Sequence, residues 1–354
     1  MQTDARLKHF FKAAITAGLL MALFIGGLEY YWRSKGYPLS FNDDKALWTL
    51  VRKELKSYTG PATVFIGSSR IKFDIDIPTW EKLTGERSFQ LAIVGTSPRL
   101  VLLDLARDEN FKGKLIVDVM DPLNFGADTM RSELFAREAL EYYHHETPAQ
   151  AVSAALNFRL ESRLLCLEEG KFGLNSLVKE LSQENRAGVL APTIPWRKEL
   201  TYVTNRRQSK LTPFFLGNPQ AQKAHIEHWK KRAGFNSPVA FKPGALDSIC
   251  LQYKTAIDRI RARGGTVVFL REPSNDVHLE RELKFFPRKV YWDHLLSYTN
   301  TPGFHFSDYP ATAGMICPEG SHLAPEDAVK YTSWLVQTLR KEQNWKFASD
   351  NKQP

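Results

Sequence analysis

The longest uninterrupted apolar run lies near the N-terminus. From Ala13 to Leu28 the chain reads AAITAGLLMALFIGGL, uncharged and with Thr16 its only polar side chain. Extended by its flanks from Phe10 to Trp32, the run reaches the roughly 20 residues that a membrane helix needs. Lys12 can snorkel at one end, and Tyr30, Tyr31 and Trp32 form an aromatic belt at the other. Glu29 and these aromatics stand where a cleavage site would need small residues. The pattern therefore predicts an uncleaved signal anchor, a transmembrane helix within residues 1–35.

Beyond the anchor the periodicity changes. Asp43 to Tyr58 carries Leu47, Leu50, Val51 and Leu55 at helical spacing, and Gly60-Pro61 ends that helix. Four short runs follow: Thr63–Ile66, Phe89–Val94, Leu115–Met120 and Thr266–Leu270. They are nearly all apolar rather than alternating, as in strands covered on both faces. Each ends in turn chemistry, at Gly67, Gly95, Asp121-Pro122 and Arg271-Glu272-Pro273. Helical stretches separate them, so the expected fold is α/β, a parallel sheet flanked by helices. Ligands of such sheets sit beyond the carboxyl ends of the strands.

The domain is expected over residues 36–345, with a polar tail at 346–354. An insertion at about 126–245 separates the third and fourth strands. Thr129 to Gln183 reads as mostly helical, whereas the remainder, with Pro192, Pro195, Pro213 and Pro219, reads as loop capping the sheet edge. A last helix is expected from about Pro325 to Arg340, with proline, Glu326 and Asp327 in its first turn.

Charge narrows the partners. The 354 residues carry a formal net charge of +9, which suits nucleic acid, anionic lipid or an acidic polymer. Arg6, Lys8 and Lys12 precede the apolar span, and Arg33 and Lys35 follow it. That excess favours a cytoplasmic N-terminus with the large domain outside, which argues against nucleic acid. The basic, Trp-bearing segments Trp196-Arg197-Lys198, Arg206-Arg207 and Trp229-Lys230-Lys231-Arg232 suit an acidic glycan or lipid headgroups, or form a solvated cap surface. Cys166, Cys250 and Cys317 lack disulfide-scaffold or metal spacing, leaving one bridge or three unpaired thiols open. His144-His145 and His225-x-x-His228 lack a third ligand and read as solvated, so neither metal nor cofactor is expected.

The candidate chemistry rests on a serine and a histidine far apart in sequence. Gly67-Ser68-Ser69-Arg70 follows the first strand, a turn that exposes Ser69 and aims backbone N–H groups at the same point. Serine needs a positioned base and donors for the developing oxyanion. The competing reading is that Ser68 and Ser69 cap the next segment. His322 stands in Glu319-Gly320-Ser321-His322, where Glu319, or alternatively Asp308, can fix the imidazole tautomer that leaves the other nitrogen free to take a proton. Gly95 can offer an N–H, and Asn124 or Asn275 a side-chain amide. Arg271, charged directly after an apolar strand, suggests a structural or anion-binding role at the sheet edge.

Together, a Gly-x-Ser turn after the first strand, a glycine after the second, a later asparagine and a near-terminal acid-x-x-His resemble the block pattern of the SGNH, or GDSL, hydrolase superfamily. The likeness spans roughly residues 62–340 and is greatest to its membrane-anchored extracytoplasmic branch, which includes the D-alanyl transfer protein and alginate O-acetylation proteins. That resemblance implies a flavodoxin-like three-layer domain with Ser69 as nucleophile, His322 as base and Glu319 as carboxylate. It further implies an oxyanion hole from the N–H groups of Ser69 and Gly95 with one asparagine. Ser68 and Glu319 replace the family's usual aspartates, and its Gly-x-Asn-Asp block is missing after the third strand.

The expected function is acyl-ester transfer or hydrolysis on an envelope or secreted polysaccharide, in the periplasm and tethered to a bacterial inner membrane, with a membrane-bound acyltransferase as a candidate partner. The alternative is a catalytically inactive, glycan-binding or scaffolding subunit of a polysaccharide modification or export complex.

Overall fold

The computed structural model describes residues 2–126, 131–173, 176, 200–235 and 244–352. Its strands are β1 (Ala62–Ile66), β2 (Arg87–Gln90), β3 (Lys114–Asp118), β4 (Thr201–Val203), β5 (Ser209–Leu211), β6 (Thr266–Arg271) and β7 (Gly303–His305). Five of them form a parallel sheet in the order β2-β1-β3-β6-β7, while β4 and β5 form an antiparallel hairpin of their own.

Alternation of side chains across the pleat explains why the central strands read as unbroken apolar runs. Val64, Ile66, Leu115, Val117, Val267 and Phe269 enter one core. Phe65, Ile116, Val268 and Leu270 enter the other. The first core is closed by the helices Lys45–Ser57, Arg99–Arg107 and Ala245–Ala262, through residues such as Trp48, Leu102 and Ile257. The second is closed by the helices Ile77–Thr84 and Pro325–Gln343, through Trp80 and Leu335. The result is a three-layer α/β arrangement.

Several elements depart from the sequence-based expectation. β2 stops at Gln90, although Leu91 and Ile93 still donate backbone hydrogen bonds to Phe65 and Gly67 along the same edge. β7 escapes detection because it is only Gly-Phe-His. Pro213 and Pro219 begin the helices Pro213–Leu216 and Pro219–Phe235 rather than marking loop. A proline costs nothing at that position, because its missing N–H has no intrahelical partner there. Pro192, Pro195 and Trp196-Arg197-Lys198 lie outside the described residues. The last helix runs three residues past Arg340 to Gln343, where Asn344 turns left-handed. All three cysteines are unpaired.

The first helix, Gln2–Ser34, outlasts its apolar stretch. Its portion Arg6–Ser34 is long and apolar enough to cross a membrane, and most of its apolar side chains are exposed. The C-terminal end docks on the domain. Glu29 accepts the N–H of Cys166 at 2.7 Å, Arg33 donates to the carbonyl of Arg163 at 2.8 Å, and Trp32 lies against Phe172. Two polar bonds and a ring contact thus fix the angle at which this helix leaves the domain.

Candidate active site

The turn after β1 admits only glycine at its first position. Gly67 has φ +152°, and a Cβ there would lie 2.3 Å from Cβ of Asp118 at the end of β3. Ser68 then gives both its N–H (2.7 Å) and its hydroxyl (2.6 Å) to Asp118 Oδ2, and its oxygen accepts the N–H of Arg70 as cap of the helix Ser69–Asp74. Capping is therefore the work of Ser68. No hydrogen bond among the described residues holds the half-buried Ser69 hydroxyl, which lines a cavity of about 630 Å³ together with His322.

The short helix that begins at Ser69 also grips the loop carrying the histidine. Arg70 Nε donates to Ser321 Oγ at 3.3 Å. Phe73, four residues after Ser69, stacks on the His322 ring with centroids 4.2 Å apart. Asp74 accepts the N–H of Leu323 at 2.8 Å. Residues 321, 322 and 323 are thus each bound by a side chain from one turn and a half of helix, and this brings the two distant sequence positions to one cavity.

Glu319 holds the imidazole. Its Oε1 lies 2.7 Å from His322 Nδ1, and His322 Nε2 is buried without a hydrogen-bond partner among the described residues. Burial pushes the Glu319 carboxyl up, but the imidazoles of His322, His225 and His278 outweigh it and hold the group at about 2. A carboxylate ionised at all ordinary pH, bonded to one imidazole nitrogen while the other stays open, can stabilise a proton taken from a hydroxyl. Asp308, the rival carboxylate, instead pairs with Arg288 on the surface.

The other sequence candidates sit elsewhere. Gly95, at φ +69°, is exposed in the turn beside Val94, and Val94 itself lines the cavity. Neither asparagine lines it. Asn124 donates to the carbonyl of Met120 and accepts from the Tyr253 hydroxyl. Asn275 accepts the N–H of Cys317 at 2.5 Å, and its backbone N–H donates to the carbonyl of Gly320, so it organises the loop that carries Glu319. Arg271 is buried between Glu282 and Asp121, and Glu282 also pairs with Arg70 at 2.6 Å. Burial raises the Glu282 carboxyl, but the two guanidiniums outweigh it and hold it at about 2. Arg271 is therefore spent on structure.

Sequence reasoning passed over several residues here. Asp118 and Asp74 sit at the end of a strand and within a helix, with no motif to mark them. His225, expected to be solvated, lies with its Nε2 3.8 Å from Glu319 Oε2 and accepts from Trp229 Nε1. The signal that could have found it is His225-x-x-x-Trp229, one turn apart on a helical face. Arg206 and Arg207 are also spent internally, on Glu81 and Asp43.

No protein-family model matches the chain, and a comparison with curated proteins finds no relative in sequence.

Proposed function

We propose that the chain is a membrane-anchored serine acyl-ester transferase or esterase of the SGNH type. The observation that carries this reading is the ordered set at one cavity: an unbonded Ser69 hydroxyl, His322 with a free Nε2, and the ionised Glu319 behind it. In the reaction Ser69 Oγ attacks an ester carbonyl, and His322 Nε2 takes the hydroxyl proton and returns it to the departing alkoxide. Water or a sugar hydroxyl then attacks the acyl-serine with the same base. The domain is read as periplasmic, on a bacterial inner membrane, with an envelope or secreted polysaccharide as acceptor and a membrane-bound acyltransferase as a source of acyl groups.

Labelling by a serine-directed fluorophosphonate, with the adduct mapped, tests the reading. Modification at Ser69 that disappears in S69A and falls at least 100-fold in H322A is expected. Labelling that is absent, or unaffected by S69A, overturns it. The second reading, an inactive glycan-binding or scaffolding subunit, draws on Asn124 and Asn275, the two candidate amides, lying away from the cavity and donating to the carbonyls of Met120 and Met315. It predicts an unlabelled protein whose cellular role survives S69A.

A further inference from the structure

The cavity that holds Ser69 and His322 is walled mainly by hydrocarbon. Trp48, Phe73, Ile93, Val94, Phe135 and Val203 all face it. Trp48 gives its only polar atom to the carbonyl of Leu91 at 2.9 Å, so its ring offers hydrocarbon alone. Val94 is 39% exposed and Phe135 55% exposed, so their apolar surfaces stand open at the cavity.

Three of the charged residues around the same space are turned to other uses. Asp43 is paired with both Lys72 and Arg207. Arg207 spends its remaining donors on the carbonyls of Gln90 and Ala92. Asp44 accepts two N–H groups at the start of the helix Lys45–Ser57. Lys45 lies over the Tyr142 ring, and Glu138, Thr201 and Ser209 line the space without a side-chain hydrogen bond among the described residues, but the wall is mostly apolar, which favours a hydrocarbon chain over a sugar. A volume of about 630 Å³ with a mostly apolar wall and a few reactive polar groups fits a medium-length ligand chain.

We propose that this cavity is an acyl-chain site: the ester that Ser69 attacks carries an aliphatic acyl group of several carbons rather than acetyl, and that chain lies along Trp48, Ile93, Val94, Phe135 and Val203. The inference rests on the serine reading above. The bonds are those of ordinary acyl transfer: Oγ–C forms, the ester C–O breaks, and the proton passes through His322 to the leaving alkoxide.

The test compares ethyl and octyl fluorophosphonates on the full chain in lipid nanodiscs, below the concentration at which either probe forms micelles. Burial of each methylene is worth about fourfold, so octyl labelling at Ser69 is expected to be at least tenfold faster than ethyl. Val203→Trp and Phe135→Asp, which alter the wall and the rim separately, should each lower the octyl-to-ethyl ratio by about tenfold. Equal rates for the two probes, or a ratio unmoved by both variants, overturn the acyl-chain site while leaving the nucleophile intact. No labelling by either probe overturns the serine reading, and the acyl site with it.

Discussion

Asp74 Oδ1 accepts the backbone N–H of Leu323 at 2.8 Å, across 249 positions of sequence. This one bond ties the helix that begins at Ser69 to the residue after His322. Burial pushes the Asp74 carboxyl well up, which favours its neutral form. The contact itself needs only an acceptor oxygen at this position.

Asp74→Asn should preserve that contact, keeping both melting temperature and Ser69 labelling near the parent values. Asp74→Ala should strand the buried N–H of Leu323, at about 1–3 kcal/mol, and slow labelling by letting His322 drift from Phe73. Thermal unfolding and fluorophosphonate labelling of the pair check this. An alanine variant that behaves like the asparagine one refutes the role of the bond.

Glu319→Gln should slow labelling about 10³- to 10⁴-fold at pH 7, the penalty for losing a carboxylate that fixes the base. It should also change the acid limb of stability. With its folded value depressed to about 2, Glu319 contributes stability that is complete above its ordinary value near 4.5 and lost as pH falls from there towards 2. The parent should accordingly lose melting temperature more steeply than E319Q below pH 4.5. Parallel curves would count against the pairing.

Much of this was legible in the sequence, and the boundary is physical. β1, β3 and β6 are covered on both faces, so their apolar runs stand out without regard to the rest of the chain. Ser69, His322 and Glu319 carry chemistry that only a few residue types can provide. Asp118, Asp74 and Phe73 matter through distances that arise only when β1, β3 and the histidine loop come together. No local pattern distinguishes them from ordinary strand-end or helix residues. The hairpin β4–β5 is held in part by the Arg207–Asp43 pair, and neither half of that pair announces the other. The asparagines show the reverse case, since their turn context looked suggestive while each amide serves local structure.

The turns after β1 and β2 put their glycines in different environments. Gly67→Ala puts a methyl 2.3 Å from Asp118 Cβ in a backbone conformation foreign to alanine, and should cost about 3 kcal/mol or more. Gly95→Ala shares a positive φ but meets nothing within 4 Å, and should cost about 1 kcal/mol. Chemical denaturation of both measures the difference, and equal losses would mean that conformation alone, not the approach of Asp118, selects glycine at 67.

Glu272 offers a test of opposite sign to Glu319. Burial, reinforced by Asp118, pushes its carboxyl well up, so the folded state keeps a proton that the unfolded chain has released. Stability then declines as pH rises from the unfolded value near 4.5 towards the folded one. Glu272→Gln, neutral throughout, should flatten that slope and raise the melting temperature at pH 7 by about 2–4 °C, the shift that roughly 1 kcal/mol brings in a domain of this size. An unchanged slope would mean that Glu272 is ionised in the folded protein.

Asp43 pairs with two buried cations, Arg207 in the hairpin turn and Lys72 on the helix Ser69–Asp74. Lys72 is fully buried and pushed down to about 8, first by burial, although Asp43 works in the other direction. Arg207 is 1% exposed and reaches from a left-handed backbone position to the carbonyls of Gln90 and Ala92. Asp43→Asn removes their common counter-ion and should cost about 3–5 kcal/mol, because two buried cations are then left facing each other. Lys72→Met in the same chain should recover much of that loss, since a single cation bonded to two carbonyls is tolerable and the hydrocarbon stem still fills its space. The order of melting temperatures should be parent, then the double variant, then D43N alone. Limited proteolysis between Thr201 and Leu211 should follow the same order, because Arg207 is one of the bonds that hold the hairpin down. If D43N melts with the parent, or if the double variant is worse than the single, the hairpin is fastened by its hydrocarbon contacts at Leu200, Leu211 and Phe215 instead.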